Sequence, residues 1–164
     1  MSSATRGQRL HTRFMREALR LSAEKMRRGH GGPFGAVVVR NDKIVGRGWN
    51  QVTSSNDPTA HAEVVAIREA CRRLKTFVLH DCVLYTSCEP CPMCLAAAYW
   101  ARIPKMFYGN TRADAARIAV DDDAIYQELA LPIPRRKMVM TRLQPREARG
   151  AFRVWEKLPN KVLY

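Results

Sequence analysis

The sequence predicts one three-layer α-β-α domain built on a mixed five-stranded sheet. Strand-like runs rich in Val, Ile and aromatic residues alternate with helical stretches along the chain, the pattern of an α/β sheet covered by helices. A chain of 164 residues, 46% hydrophobic and 26% charged, is ordinary for a globular protein and buries roughly two-thirds of the surface its unfolded form exposes. No repeat, low-complexity segment or long linker divides it, so 1–164 reads as a single domain, with Pro132-Ile133-Pro134 as a hinge into the C-terminal portion.

The first element is a helix. From Leu10 to Met26 a helical projection gathers Leu10, Phe14, Met15, Ala18, Leu19, Leu21 and Met26 on one half of the cylinder, and Arg9, Arg13, Arg16, Arg20 and Arg27 on the other. Gly29 to Pro33 is a loop. Phe34 to Arg40 and Ile44 to Asn50 are strands around an Asn41-Asp42-Lys43 turn, a hairpin. Gln51 to Asn56 is polar connection. Asp57-Pro58 has the form of an N-cap followed by Pro at the first helical position, opening a helix to about Leu74 with His61 and Glu63 in its first two turns. A buried strand at Cys82 to Thr86 follows, then a helix from about Pro90 to Arg102 and a strand at Met106 to Gly109. Short helical pieces from Ala113 to Ala130, a strand at Met138 to Leu143 and a helix from about Pro145 to Leu158 complete the chain.

A net charge of +13 and a pI near 10.2 raise nucleic acid as a partner. No aromatic residues interleave the arginines of the first helix to stack bases, so the stripe reads as a solvated face and nucleic acid is disfavoured. No apolar run approaches the roughly eighteen residues that span a bilayer, so no membrane partner is expected. Met1 to Gln8 is polar and basic, without the apolar core or cleavage pattern of a secretory leader. Five cysteines, an odd number with three packed into seven residues, argue for metal and free thiols in a reducing, cytoplasmic compartment.

Chemistry concentrates in His61-Ala62-Glu63 and in Cys88-Glu89-Pro90-Cys91-Pro92-Met93-Cys94. One neutral imidazole and two thiolates, from His61, Cys91 and Cys94, make a donor set suited to tetrahedral zinc with a fourth position open to water. Cys91 and Cys94 stand three apart in a helix's first turn, where i and i+3 side chains are neighbours and the helix dipole favours thiolates. A lone cysteine is usually a small buried hydrophobe; here the spacing and the upstream His-x-Glu favour metal. Cys88 could also ligate, but it precedes the Pro-Cys start and belongs to the strand-to-helix turn; Cys71 and Cys82 read as core. Glu63 shares an apolar stripe with Ile67, Ala70 and Leu74, so its carboxylate points inward, where burial raises its pKa toward the range of a proton shuttle. An ideal wheel sets His61 on a different side of the helix from Glu63, so the two can converge only on something beside the first turns.

His-x-Glu followed by Pro-Cys-x-x-Cys resembles the signature of zinc-dependent nucleobase deaminases. The runs Asn56-Asp57-Pro58-Thr59-Ala60-His61-Ala62-Glu63 and Glu89-Pro90-Cys91-Pro92-Met93-Cys94 are similar to the cytidine deaminase-like superfamily. Within it the chain most resembles small bacterial-type guanine deaminases. Gly31-Gly32-Pro33-Phe34-Gly35-Ala36, Leu84-Tyr85-Thr86-Ser87-Cys88, Ala98-Tyr99-Trp100-Ala101-Arg102, Asp121-Asp122 before Ile125-Tyr126, and the terminal Tyr164 support this over nearly the whole chain. The resemblance implies the cytidine deaminase-like fold and one zinc per subunit, held by His61, Cys91 and Cys94. It implies hydrolysis of guanine to xanthine and ammonia in purine catabolism, with Glu63 as the catalytic proton shuttle. Asn50 would then hydrogen-bond the purine, Asp122 would hold its amide and amino edge and assist proton transfer, and Phe34 and Trp100 would pack on the ring. It also implies a homodimer in which about 131–164 crosses to the partner and Tyr164 closes the other subunit's site. Where the family pattern often has Gly-Phe before the acidic pair, this chain has Ala119-Val120.

Other readings compete. The tRNA adenosine deaminases share the Asp-Pro-Thr-Ala-His-Ala-Glu run, and RNA suits the positive charge; Asp121-Asp122 and Tyr164 count against them. Another amino-purine, an amino-triazine or a nucleoside would call for the same chemistry on a different ring. From a different class, Cys88 as a fourth ligand would close the metal site of a non-catalytic zinc-stabilised module.

Overall fold

The structure, a computed structural model, describes residues 3–120 and 122–164, with side chains from Gly7 onward. Asp121, half of the expected acidic pair, lies outside the described residues. The chain forms two compact units, Met1–Asp123 and Ala124–Tyr164.

The first unit holds α1 (Ser3–Arg27), β1 (Gly35–Arg40), β2 (Lys43–Trp49), α2 (Val52–Ser55), α3 (Ala62–Leu74), β3 (Cys82–Cys88), α4 (Pro92–Trp100), β4 (Lys105–Asn110) and α5 (Arg112–Ala116). Its sheet runs β2-β1-β3-β4. The first two pairings are antiparallel and β3–β4 is parallel, with α4 as the crossover that a parallel neighbour requires. The β1–β2 turn puts Asn41 and Asp42 at φ 49° and 57°, the left-handed pair a two-residue hairpin needs and that Asn and Asp tolerate.

Alternation along the inner strands sorts the core into two layers. Ala36, Val38, Cys82 and Leu84 pack with Ala62, Ala66, Ile67 and Ala70 of α3 and Ala98 of α4. Val37, Val39 and Tyr85 pack with Phe14, Ala18 and Leu21 of α1. Two glycines of β2 set how closely α3 approaches. A Cβ at Gly46 would lie 2.2 Å from the Ala66 carbonyl oxygen, and one at Gly48 would lie 2.0 Å from that of Ala62. The N-terminal turn of α3 is thereby seated directly on the strand.

Several expectations are corrected. The α3 helix starts at Ala62, not Pro58. The Asp57 carboxylate instead accepts from the amide and hydroxyl of Thr59, at 2.8 and 2.6 Å, and closes a local turn before the helix. Likewise α4 starts at Pro92, and Cys88 is the last residue of β3, not part of a turn. The helix α1 begins seven residues before Leu10, and a short helix, α2, occupies the stretch read as polar connection. Leu19 and Met26 are exposed, because the strip of α1 that meets the sheet is narrower than half a cylinder.

The remaining elements are α6 (Asp123–Ala130), a 3-10 turn at Ile133–Arg135 and α7 (Pro145–Lys157). None of residues 124–164 is buried. The fifth strand, expected at Met138–Leu143, is not formed; the sheet has four strands. A strand exists only against a partner edge, and this segment pairs with none among the described residues, leaving Met138, Val139, Met140 and Leu143 exposed.

Candidate active site

His61 and Cys91 are the N-cap residues of α3 and α4, with extended backbones of φ −70°, ψ 153° and φ −66°, ψ 167°. Both helices aim their first turns at one point. His61 Nδ1 lies 3.5 Å from the sulfurs of Cys91 and Cys94, and all three donor atoms fall within 4.8 Å of one another. A tetrahedron with zinc–nitrogen and zinc–sulfur bonds of ordinary length has an N···S edge of about 3.6 Å. The donor set therefore fits zinc in chemistry and in spacing. Hydrogen bonding from Cys94, aided by His61, pushes the Cys91 thiol down to about 4, while the same pair interaction and burial push Cys94 up. Cys91 in turn holds the His61 proton above the usual imidazole range. These are protons a metal ion displaces on binding.

Glu63 occupies the second position of α3. Because His61 sits outside the helix, at the cap, the wheel that separated the two side chains does not apply to them. Glu63 is 5% exposed, and burial pushes its carboxyl above the usual carboxylate range. Thr86 of β3 donates from Oγ1 to Glu63 Oε1 at 2.8 Å.

A cavity of about 310 Å³ opens on this cluster, within the size range of small-ligand sites. His61, Glu63, Cys91, Phe34, Asn50 and Asp122 all line it, while Cys94, the third member of the donor set, is fully buried and outside the lining. Asn50 is clamped at one end: its Oδ1 accepts from the amides of Gly32 at 3.2 Å and Val52 at 3.3 Å. Its other end, the amide nitrogen, is the group left to donate to a ligand. The clamp depends on Gly31, which sits at φ +148° with its missing Cβ 2.1 Å from the Asn50 carbonyl oxygen.

The loop before Asp122 is tied to the cysteine motif. Glu89, also in the lining, pairs with Arg112 Nε at 3.0 Å and accepts from the Arg112 amide at 3.0 Å; Arg112 also lies 3.6 Å from Asp123. Ala119 adopts φ 62°, a left-handed conformation that glycine takes without steric cost, which accounts for glycine in the related pattern. Val120 lines the cavity.

Two expected residues are not among the lining residues. Trp100 is absent from the cavity lining: it ends α4 and is 62% exposed. Tyr164 belongs to the second unit and is exposed. Cys88 lines the cavity but is outside the metal-ligating group found among the described residues. Its sulfur instead faces the Thr111 carbonyl oxygen at 3.7 Å, and burial pushes its thiol up to about 11. Sequence reasoning missed the role of Thr86. The available signal was period-two alternation, since Cys82, Leu84, Thr86 and Cys88 share one strand face and a lone hydroxyl on a buried face needs a partner.

Comparison with known proteins agrees with this geometry. Residues 8–110 match the family model described as the cytidine and deoxycytidylate deaminase zinc-binding region. The chain is 47% identical over 154 residues to guanine deaminase of Bacillus subtilis, covering 94% of this chain and 99% of that protein. The X-ray structure of guanine deaminase from Bacillus subtilis superposes with a TM-score of 0.89 at 45% identity, over 100% of this chain and 99% of the other. A tRNA-specific adenosine deaminase of Buchnera aphidicola is 45% identical over 82 residues, 50% of this chain and 54% of that protein.

Proposed function

The chain belongs to the guanine deaminases of the cytidine and deoxycytidylate deaminase superfamily, and from that premise we propose that it hydrolyses guanine to xanthine and ammonia at the cavity formed by α3, β3 and α4. The observation that carries this reading is the convergence of a zinc-fitting trio and a buried carboxylate on a cavity lined by Phe34, Asn50 and Asp122. Similarity to the Bacillus subtilis enzyme runs over nearly the full length, whereas the tRNA-specific relative matches half the chain.

Zinc is the cofactor, held by His61, Cys91 and Cys94; when bound it acts as a Lewis acid that lowers the pKa of water at the open position. Glu63 takes a proton from the attacking water and gives it to the ring nitrogen beside C2; it then takes the remaining hydroxyl proton and gives it to the amino group, which leaves as ammonia while the C2 carbonyl forms. A carboxyl raised by burial suits both steps, because it is a stronger base than an ordinary carboxylate and holds the proton it takes until it is passed on. Asn50 donates to the purine from its free amide end, Asp122 accepts from the amide and amino edge and helps to move protons, and Phe34 packs on the ring. Trp100 packs there only if the exposed end of α4 is covered.

We further propose that about 131–164 crosses to a partner subunit in a homodimer, with Tyr164 closing the partner's site. Support comes from the unburied second unit, where Phe152, Val154, Trp155 and Leu158 of the α7 region are exposed, and from the unformed strand at Met138–Leu143, which would find an edge in another sheet. The purine is thus the small-molecule partner. Free thiols beside a zinc trio support a reducing, cytoplasmic setting; no helix among the described residues is long and apolar enough to cross a membrane.

The deciding experiment is ammonia and xanthine release from free guanine by zinc-loaded protein, with Glu63→Gln as control. Turnover that disappears in the variant supports reaction, substrate and proton shuttle together. Untouched guanine alongside inosine formation in tRNA would overturn the substrate.

A further inference from the structure

We propose that Thr86 is a positioning residue for the proton-transfer carboxylate: its hydroxyl holds Oε1 of Glu63 and leaves Oε2 for the reaction. The inference rests on the reading of Glu63 given above.

Thr86 lies on β3, paired with β1 on one side, in register with Ala36, and with β4 on the other, in register with Tyr108. Its backbone is therefore fixed from both sides. Strand alternation turns its side chain to the face that Cys82 and Leu84 present to α3, and the side chain is fully buried. A buried hydroxyl is costly unless it is paired, and valine would fill the same volume with no such demand. The hydroxyl is paired, at 2.8 Å, with Glu63 Oε1.

The two elements that meet in this hydrogen bond are placed independently. Glu63 is carried by α3, which Gly46 and Gly48 seat on β2, whereas Thr86 comes from the interior of the sheet. Helix packing fixes the Glu63 backbone but not the rotation of its terminal carboxylate, a broad twofold torsion. A donor on a rigid strand fixes that rotation. The Glu63 backbone amide and the Cys94 thiol also interact with this carboxylate, but as a metal-ligating thiolate Cys94 has no proton to donate. Thr86 then supplies the side-chain donor that selects which oxygen faces the cavity.

The test uses zinc-loaded Thr86→Val, Thr86→Ser and Thr86→Ala, with Glu63→Gln alone as control. In Thr86→Val, kcat for guanine is expected to fall about 10- to 100-fold with KM within about twofold and zinc content unchanged, the scale of lost support around a metal site. Thr86→Ser, which keeps the hydroxyl, restores most of kcat. Thr86→Ala repeats the loss if valine fails to fold. Wild-type kcat in Thr86→Val and Thr86→Ala beside an inactive Glu63→Gln overturns this inference alone. So does a serine variant as impaired as valine, which would assign the effect to packing. Full activity of Glu63→Gln overturns the reading of Glu63 and the positioning role with it.

Discussion

His61 and Cys91 hold the same station in two different helices: each is an N-cap with extended backbone, and His61 Nδ1 stands 3.5 Å from the Cys91 sulfur. A cap residue leaves the helix direction at the point where unpaired amides and the positive end of the dipole gather. Two helices whose caps meet thus place soft donors and a favourable field at one point, with Cys94 a turn inside α4 completing the trio.

The first prediction concerns the metal. Purified protein is expected to carry about one zinc per subunit, as a three-ligand site with an open position does. His61→Ala and Cys94→Ala should each lose stoichiometric zinc and all guanine turnover. Chelation should abolish activity and lower the melting temperature, and added zinc should restore both. Elemental analysis alongside calorimetry checks this; a Cys94→Ala variant with full zinc would remove that residue from the ligand set.

Asn50 separates binding from architecture. Its Oδ1 clamps the amides of Gly32 and Val52, so Asn50→Asp keeps an acceptor for the loop while replacing the donor that faces the cavity. Asn50→Asp should melt close to wild type yet lose guanine kcat/KM by about 100-fold or more, the cost of an unpaired polar contact in a buried site. Asn50→Ala should lose both. Equal stability losses in the two variants would show that the clamp is not what holds this loop.

Much of this site was legible beforehand because its chemistry is local in sequence. His61-x-Glu63 and Cys91-x-x-Cys94 fix donor types and spacing within a turn, and the strands β1 to β4 follow from β-branched or aromatic runs between turn residues. The start of α3 was misplaced because Asp57-Pro58 satisfies a capping pattern equally well as a closed turn, a choice made by what His61 must reach. Thr86 was hidden because its partner lies 23 residues away on another element. The strand at Met138–Leu143 was wrongly expected because propensity states what a segment can do, whereas a strand also needs an edge.

Glu17 gives a pH-dependent stability that can be isolated from catalysis. Its carboxylate bonds Arg20 Nε at 2.8 Å on its own helix and Arg47 Nε at 3.1 Å on β2, and Arg20 foremost holds its pKa below the ordinary value. A carboxyl lowered in the folded state binds protons more readily when unfolded. Its contribution is therefore full above the unfolded value and is lost as pH falls through the folded one. Glu17→Gln should cost about 1 kcal/mol at pH 7, and the gap to wild type should close below about pH 4. Urea unfolding at pH 7 and pH 3.5 measures it; a pH-independent gap would mean that packing, not charge, is the contribution.

The crossed C-terminal segment can be tested by complementation. If Tyr164 closes the partner's cavity, a chain lacking Tyr164 still holds a complete metal site and Glu63, and a Glu63→Gln chain still carries the terminal tyrosine. Each homodimer should be close to inactive. Unfolding and refolding the two together lets subunits pair at random, so half the dimers are mixed and each has one complete site, which should recover about a quarter of wild-type activity in a closed twofold assembly. Recovery should appear only after subunit exchange, and removal of Tyr164 alone should leave the melting temperature nearly unchanged, as expected for a chain end that is exposed within its own subunit. No recovery from mixed dimers confirmed by mass would mean that the tyrosine acts in its own subunit or not at all, and unchanged turnover after its removal would dismiss the closing role outright.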